Sequence, residues 1–163
     1  LSGAAAVRQA AEEMSARLQA AGFVPTGFLV QRMVTGGVEM LLGITQDPQF
    51  GPVVVCGAGG VLVELLRDVA VRLAPLTPSE AREMVQSLKS YPLLLQGYRG
   101  GPVCDVAALA DALLRLGLLA DALPQVAELD CNPVMALPQG IVVVDARARV
   151  APPEPPPLLG AHR

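Results

Sequence analysis

Tryptophan is absent from this 163-residue chain, and the other aromatics amount to three Phe and two Tyr. So thin an aromatic set excludes the stacking platforms on which single strands are bound. The scattered basic residues and a net charge of -3 offer no electrostatic track for a duplex, so no nucleic-acid partner is expected. Histidine occurs once, as His162 in a Pro-rich tail, and lysine once, as Lys89, against eleven arginines. Both scarcities restrict the chemistry the chain can perform unaided. Cys56, Cys104 and Cys131 form an odd, widely spaced set with no C-x-x-C pair. That pattern points to buried free thiols in a reducing cytoplasm rather than to disulfides or zinc. Long apolar runs are missing too: charges such as Glu64, Arg67 and Asp68 interrupt every candidate span, so no membrane partner is expected. No basic, apolar leader with a small-residue cleavage site is seen. The first residue is Leu, as expected of a piece cut from a longer protein.

What the chain does contain is apolar. Hydrophobic residues make up 52% and charged residues 17%, which excludes a disordered chain and suggests that some apolar surface is covered by something else. The length suffices for one domain with a proper core, or for two small lobes. Ser2 is placed to cap a helix running to about Leu18 or Ala20, with Val7, Ala11, Met14 and Leu18 as its apolar stripe and Gly22 as its stop. Residues 27–34 (GFLVQRMV) and 37–45 (GVEMLLGIT) read as strands joined by a turn at Thr35, Gly36 and Gly37. A second turn, DPQFG at 47–51, leads into a strand over 52–56, giving an antiparallel meander rather than a parallel nucleotide fold. After Gly57-Ala58-Gly59-Gly60, residues 61–68 read as a helical turn or a strand, and 71–74 as a short strand. Thr77-Pro78-Ser79-Glu80 is a capping box with Pro at the first helical position, opening a helix with Ala81, Met84, Val85 and Leu88 on one face. Residues 91–102 read as a Gly- and Pro-rich loop. Asp105 caps a further helix to about Asp121, with Val106, Leu109, Leu113 and Leu116 as its stripe and burial expected on more than one side.

The most informative stretch is 128–147, ELDCNPVMALPQGIVVVDAR, two extended segments joined by a turn at Pro138, Gln139 and Gly140. Side chains two apart in a strand share a face, so Asp130 and Asn132 point together and Cys131 points away. With Pro138 and Gln139 as the loop residues, Asn132 lies opposite Asp145, and opposed residues project to one face. Two carboxylates and an amide oxygen then converge, a donor set suited to Mg2+ shared with the phosphates of a nucleoside triphosphate. The alternative is a pair of solvated aspartates at strand ends, with Pro133 able to insert a bulge and shift the register. Elsewhere, the glycine run can present backbone N–H groups to phosphate, or it can be a structural turn. Glu64, four residues beyond Gly60, either reaches a group bound at that loop or is a solvated carboxylate. Glu39 either faces solvent or lines a polar cleft. The main chain at Gln31, Arg32 and Met33 can meet a purine edge, with Met33 as an apolar wall; Arg99 and Arg147 are candidate phosphate partners.

Together, FLVQRMVTGGVEMLLGITQDPQFGP, VVVCGAGGVLVELLRDVAVRLAPL, YPLLLQGYRGGP and AELDCNPV…VVVDAR resemble the ATP-grasp domain of NDP-forming acyl-CoA synthetases, relatives of succinyl-CoA synthetase. The resemblance covers about residues 4–150. It implies an α/β fold of the α+β type: the C-terminal lobe of an ATP-grasp domain, a largely antiparallel sheet with flanking helices. Residues 1–150 are then a partial domain without its N-terminal nucleotide-clamping part, and 151–163 a Pro-rich tail or linker. The resemblance further implies that Asn132 and Asp145 hold Mg2+ with Asp130 close by. Val30 to Met33 would be the linker along which adenine lies, and Gly59, Gly60 and Glu64 part of the loop facing the phosphoryl-transfer partner. The implied cofactors are Mg2+ and ATP or another NTP, and the implied partner, besides nucleotide, is a CoA-binding domain or subunit; assembly into an oligomer is a further expectation. The implied reaction interconverts acyl-CoA, NDP and phosphate with acid, CoA and NTP. The chain departs from the family in lacking the clamping lysine and a relay histidine, so in isolation it is expected to be inert and to bind nucleotide weakly. The alternative is a nucleotide-sensing or interaction module of a larger protein, such as a protein lysine acetyltransferase fusion.

Overall fold

A computed structural model describes residues 1–59, 68–95 and 103–153. The chain divides into two compact units, Leu1–Met33 and Val34–Arg163. In the first, helix α1 (Gly3–Ala20) carries no buried residue: Val7 and Ala11 are half-buried, while Met14 and Leu18 are exposed. Ser2 occupies the N-cap position but its side chain makes no cap hydrogen bond. Gly22, at φ +83°, ends the helix and lets the Phe23 N–H reach the Leu18 carbonyl at 2.9 Å. Residues 27–34, expected as a strand, adopt no regular structure, and Phe28, Leu29, Val30 and Met33 are exposed. A β-prone run holds strand geometry only with a neighbour to complete its ladder, and no described strand pairs with it. The turn at Thr35–Gly37 therefore does not join two strands.

The second unit is one antiparallel sheet with helices on one side. Strands β1 (Val38–Asp47), β2 (Gly51–Ala58) and β3 (Val69–Leu73) form an antiparallel meander, in which β1 and β2 take the expected places and β3, not residues 27–34, is the third strand. The first turn is held by Asp47, whose Oδ1 accepts from the Gln49 and Phe50 N–H groups at 2.8 and 3.0 Å. Helix α2 (Pro78–Ser87) begins at the capping box, with the Glu80 N–H donating to Thr77 Oγ1 and the Thr77 N–H to Glu80 Oε2. A single helical turn, α3 (Tyr91–Leu94), starts the stretch read as a loop, and α4 (Val106–Ala122) follows. Then β4 (Val126–Ala136), β5 (Ile141–Val143) and β6 (Ala146–Val150) complete a sheet of order β3-β2-β1-β4-β5, with β6 also on β4.

Alternation puts Met40 and Leu42 of β1, Val54 and Cys56 of β2 and Val134 of β4 on one face, where they pack with Met84, Val85, Leu109 and Leu113. Helix α4 buries one side only: Leu109, Leu113 and Gly117 face the core, while Leu118 and the Asp111–Arg115 pair stay exposed. Broader burial was expected from its few charges, but half-covered Leu114 and Leu116 absorb much of that apolarity at the margins. The three cysteines are buried thiols outside any disulfide, and burial, with Asp68 nearby, pushes the Cys56 thiol up to about 12. On the opposite sheet face Val69, Val71 and Leu73 are exposed, and no described helix covers them.

Two aspartates tie these layers together. Asp68 is buried, and its carboxylate accepts from the main-chain N–H groups of Lys89 and Ser90 at 2.8 and 2.7 Å. Burial pushes its carboxyl up, but the hydrogen bonds from Ser90 and Lys89 outweigh that and hold it below the ordinary range. Asp105 serves two elements at once. Its Oδ1 accepts from Ala108 N–H (2.9 Å), capping α4, and its Oδ2 accepts from Gly140 N–H (3.0 Å) in the β4–β5 turn. Its own N–H donates to the Leu137 carbonyl at 2.8 Å.

Leu113→Ala should lower the unfolding free energy by about 2–5 kcal/mol, read from urea denaturation, because its site is fully enclosed. Asp68→Asn should cost about 1.5–3 kcal/mol at neutral pH, the worth of a charged acceptor on two N–H groups. A carboxyl depressed in the folded state contributes fully above its unfolded value of about 3.9 and loses that contribution as pH falls through the folded value. The wild-type advantage over Asp68→Asn should therefore vanish on acidification below that range, as followed by thermal melts. Asp105→Asn leaves one accepting oxygen for two donors, so amide exchange should accelerate at either Ala108 or Gly140 while the other stays protected.

Candidate functional site

The geometry of the hairpin rests on β4 keeping different registers on its two sides. Toward β5 and β6 the register is continuous from Glu128 to Ala136: Val134 pairs with Val143 and Asp130 with Arg147. Between them the Val144 N–H donates to the Pro133 carbonyl (3.0 Å) and the Asn132 N–H to the Asp145 carbonyl (3.1 Å). Asn132 thus lies opposite Asp145, as a loop of Pro138 and Gln139 requires. Toward β1 the register shifts, with Met40 opposite Val134 but Leu42 opposite Cys131. Asn132 and Pro133 together face Leu41, a bulge at a residue with no N–H to give the ladder. Cys131 and Val134, three apart, consequently both reach the core. Asp130 and Asn132 alternate with Cys131 and lie on the face turned away from α2 and α4, helix-free among the described residues of this unit, where their register partners Arg147 and Asp145 also project.

Asp130 is half-buried, and Asn132 and Asp145 are exposed. Across β1 from Asp130 stands Gly43, where an added Cβ would come within 2.7 Å of the Leu129 carbonyl oxygen. That glycine allows close strand approach and leaves the sheet beside Asp130 bare of a side chain. Arg147 Nε is 3.8 Å from Asp145 Oδ2, and Arg149 Nε is 3.4 Å from Glu128 Oε2. Burial raises the Cys131 thiol, with the Asp130 charge adding to it, so the negative field of the site is felt across the strand. Chemically the set is two carboxylates and an amide oxygen, all hard donors. It fits Mg2+, which keeps several positions for water or phosphate, and does not fit zinc. Among the described residues no group of three or more His, Cys, Asp or Glu is disposed to hold a metal.

The remaining sequence-selected residues divide. Glu39 is exposed on β1, and its carbonyl accepts from the Gly59 N–H at 2.7 Å. Gly59 is packed so closely there that a Cβ would lie 2.5 Å from the Glu39 carbonyl carbon. Gln31, Arg32 and Met33 are exposed in the first unit. Gly60, Glu64, Arg99 and His162 lie outside the described residues. A cavity of about 490 Å3 opens toward the β1–β2 turn, lined by Gln46, Asp47, Phe50 and Arg149 among others, and none of the sequence-selected site residues lines it. Sequence reasoning passed over Gly43, although a lone glycine inside an apolar strand signals close backbone approach. It also passed over the second role of Asp105, for which local sequence carries no signal. Among the described residues no helix is long and apolar enough to cross a membrane.

Comparison with known proteins adds the following. Residues 1–150 match the family described as the ATP-grasp domain. The chain is 50% identical over 121 residues to acetate–CoA ligase [ADP-forming] I of Archaeoglobus fulgidus, a match covering 74% of this chain and 18% of that protein. It is 44% identical over 121 residues to the beta subunit of acetate–CoA ligase [ADP-forming] I of Pyrococcus furiosus, covering 74% and 52% respectively. Among solved structures, dinucleotide-forming acetyl-coenzyme A synthetase 1 of Ca. Korarchaeum cryptofilum, in complex with coenzyme A and Mg-AMPPCP, superposes with a TM-score of 0.70 at 47% identity, covering 73% of this chain and 55% of that one. The chain thus spans about half the length of the beta subunit it matches. An antiparallel sheet with helices on one face, a bulged hairpin presenting acidic and amide oxygens on the other, and a family match over residues 1–150 together make this chain a member of the ATP-grasp domain family.

Proposed function

We propose that the chain is the Mg2+- and nucleotide-binding part of an NDP-forming acyl-CoA synthetase, acting in the cytoplasm on acyl-CoA, NDP and phosphate to give acid, CoA and NTP, and the reverse. The observation that carries this reading is the register that sets Asn132 opposite Asp145 with Asp130 on the same helix-free face. The ligase relatives, and the Mg-AMPPCP and coenzyme A bound to the Korarchaeum synthetase, support the enzyme over a purely sensory module. In this reading Asp130, Asn132 and Asp145 bind the metal, which when present neutralises phosphate charge. Residues 30–33, with Gln31, Arg32 and Met33, line the base. Glu39 borders the site through its main-chain bond to Gly59, and Gly59, Gly60 and Glu64 face the group that exchanges the phosphoryl. Residues 1–150 form a partial ATP-grasp domain and 151–163 a linker, and a CoA-binding domain or subunit supplies the acyl-transfer machinery. With one histidine, in the tail, and one lysine, in neither the hairpin nor the glycine run, the 163 residues contribute orientation and electrostatics rather than a nucleophile.

Asn132→Ala and Asp145→Asn should each weaken Mg2+-dependent ATP binding at least about tenfold, the effect of one lost charged or metal-directed contact. Their melting temperatures should stay close to wild type because both side chains are exposed. Calorimetric titration of Mg·ATP into each purified chain measures this, and wild-type affinity in both variants would remove these residues from the metal site.

A further inference from the structure

Arg147 stands apart from the other charged residues of the hairpin. It is the register partner of Asp130 and lies two residues from Asp145 on β6, so it projects from the same helix-free face as the three oxygen donors. Its side chain is 83% exposed, and its one ion pair among the described residues, to Asp145, is long at 3.8 Å. Arg149, the next residue on that face, is matched by its own register partner Glu128 at 3.4 Å and also borders the cavity near the β1–β2 turn. Lys89 follows α2, where its N–H binds Asp68. Of the two described arginines on β6, Arg147 is therefore the one whose guanidinium lacks a close partner among the described residues.

Charge balance makes that position consequential. Asp130 and Asp145 together carry two negative charges, and a di- or triphosphate brings more. One divalent ion offsets only part of this, and a guanidinium presents a planar fork matched to phosphate oxygens. Gly43, on the other side of Asp130, adds no side chain to obstruct a chain of phosphates lying across the sheet. Were Asp145 to hold a metal, its carboxylate would be shared and the Arg147 guanidinium, already at the long distance of 3.8 Å, would be available to phosphate. Building on the nucleotide reading above, we propose that Arg147 binds the outer phosphates of the nucleotide and so supplies, within this chain, a positive charge toward the polyphosphate.

The test compares wild type, Arg147→Met and Arg147→Lys as the full 163-residue chain. Each is titrated calorimetrically with Mg·AMP, Mg·ADP and Mg·ATP, and with Mn2+ alone followed by water-proton relaxation. The expected result for Arg147→Met is a loss of about tenfold for Mg·ATP, less for Mg·ADP and none for Mg·AMP. Affinity for Mn2+ alone should be unchanged or tighter, Arg147→Lys should recover part of the loss, and melting temperatures should not move. An equal loss for all three nucleotides, or a parallel loss of Mn2+ affinity, would overturn the proposal by showing that Arg147 only arranges Asp145. Undiminished Mg·ATP affinity in Arg147→Met would overturn the phosphate role and leave the nucleotide reading standing. Absence of Mg·ATP binding by the wild-type chain would remove both.

Discussion

Strand β4 has to satisfy two neighbours whose spacing differs by one residue, and that constraint creates the site. Against β5 and β6 it keeps one register from Glu128 to Ala136; against β1 it must lose a residue between Cys131 and Val134. The mismatch falls at Asn132 and Pro133, where the proline would interrupt the ladder in any case. Both core contacts survive, and Asn132 is displayed on the far face beside the aspartates. A strand of perfect alternation could not bury Cys131 and Val134 together, since residues three apart point oppositely. Irregularity in pairing is thus what lets one short segment serve the core and a polar surface.

The two faces of the sheet have separate physical roles. One carries Met40, Leu42, Val54, Cys56 and Val134 against α2 and α4 and supplies most of the buried apolar area. The other is graded across the strands, from charged residues on β4 and β6 to exposed Val69, Val71 and Leu73 on β3. Exchanging side chains on the second face alters chemistry with little effect on the core. The matched segment makes up 52% of the Pyrococcus furiosus beta subunit and 18% of the Archaeoglobus fulgidus ligase, so those relatives carry further polypeptide beyond what matches here.

Legibility in the sequence followed the range of the interactions concerned. Helix starts at Thr77 and Asp105 were readable because capping bonds span three residues. The hairpin register was readable because Pro138, Gln139 and Gly140 mark the turn and pairing then counts outward in both strands. Pro133 threatened that count, yet the bulge was taken up on the β1 side, a choice set by a strand some ninety residues earlier in the chain. Residues 27–34 misled for the converse reason: their composition favours a strand, but a strand needs a partner that composition cannot supply. Helix α4 looked more deeply buried than it is, since apolar content does not say which flank a neighbour covers.

The carboxylate of Asp105 grips the first turn of α4 with one oxygen and the hairpin bend with the other. Any ligand that tugged the ribbon outward would have to unfasten the helix start in the same movement. Because α4 is anchored by Leu109 and Leu113, the ribbon is stiffened by the centre of the protein rather than by its own two strands. It is better suited to act as an anvil than as a hinge.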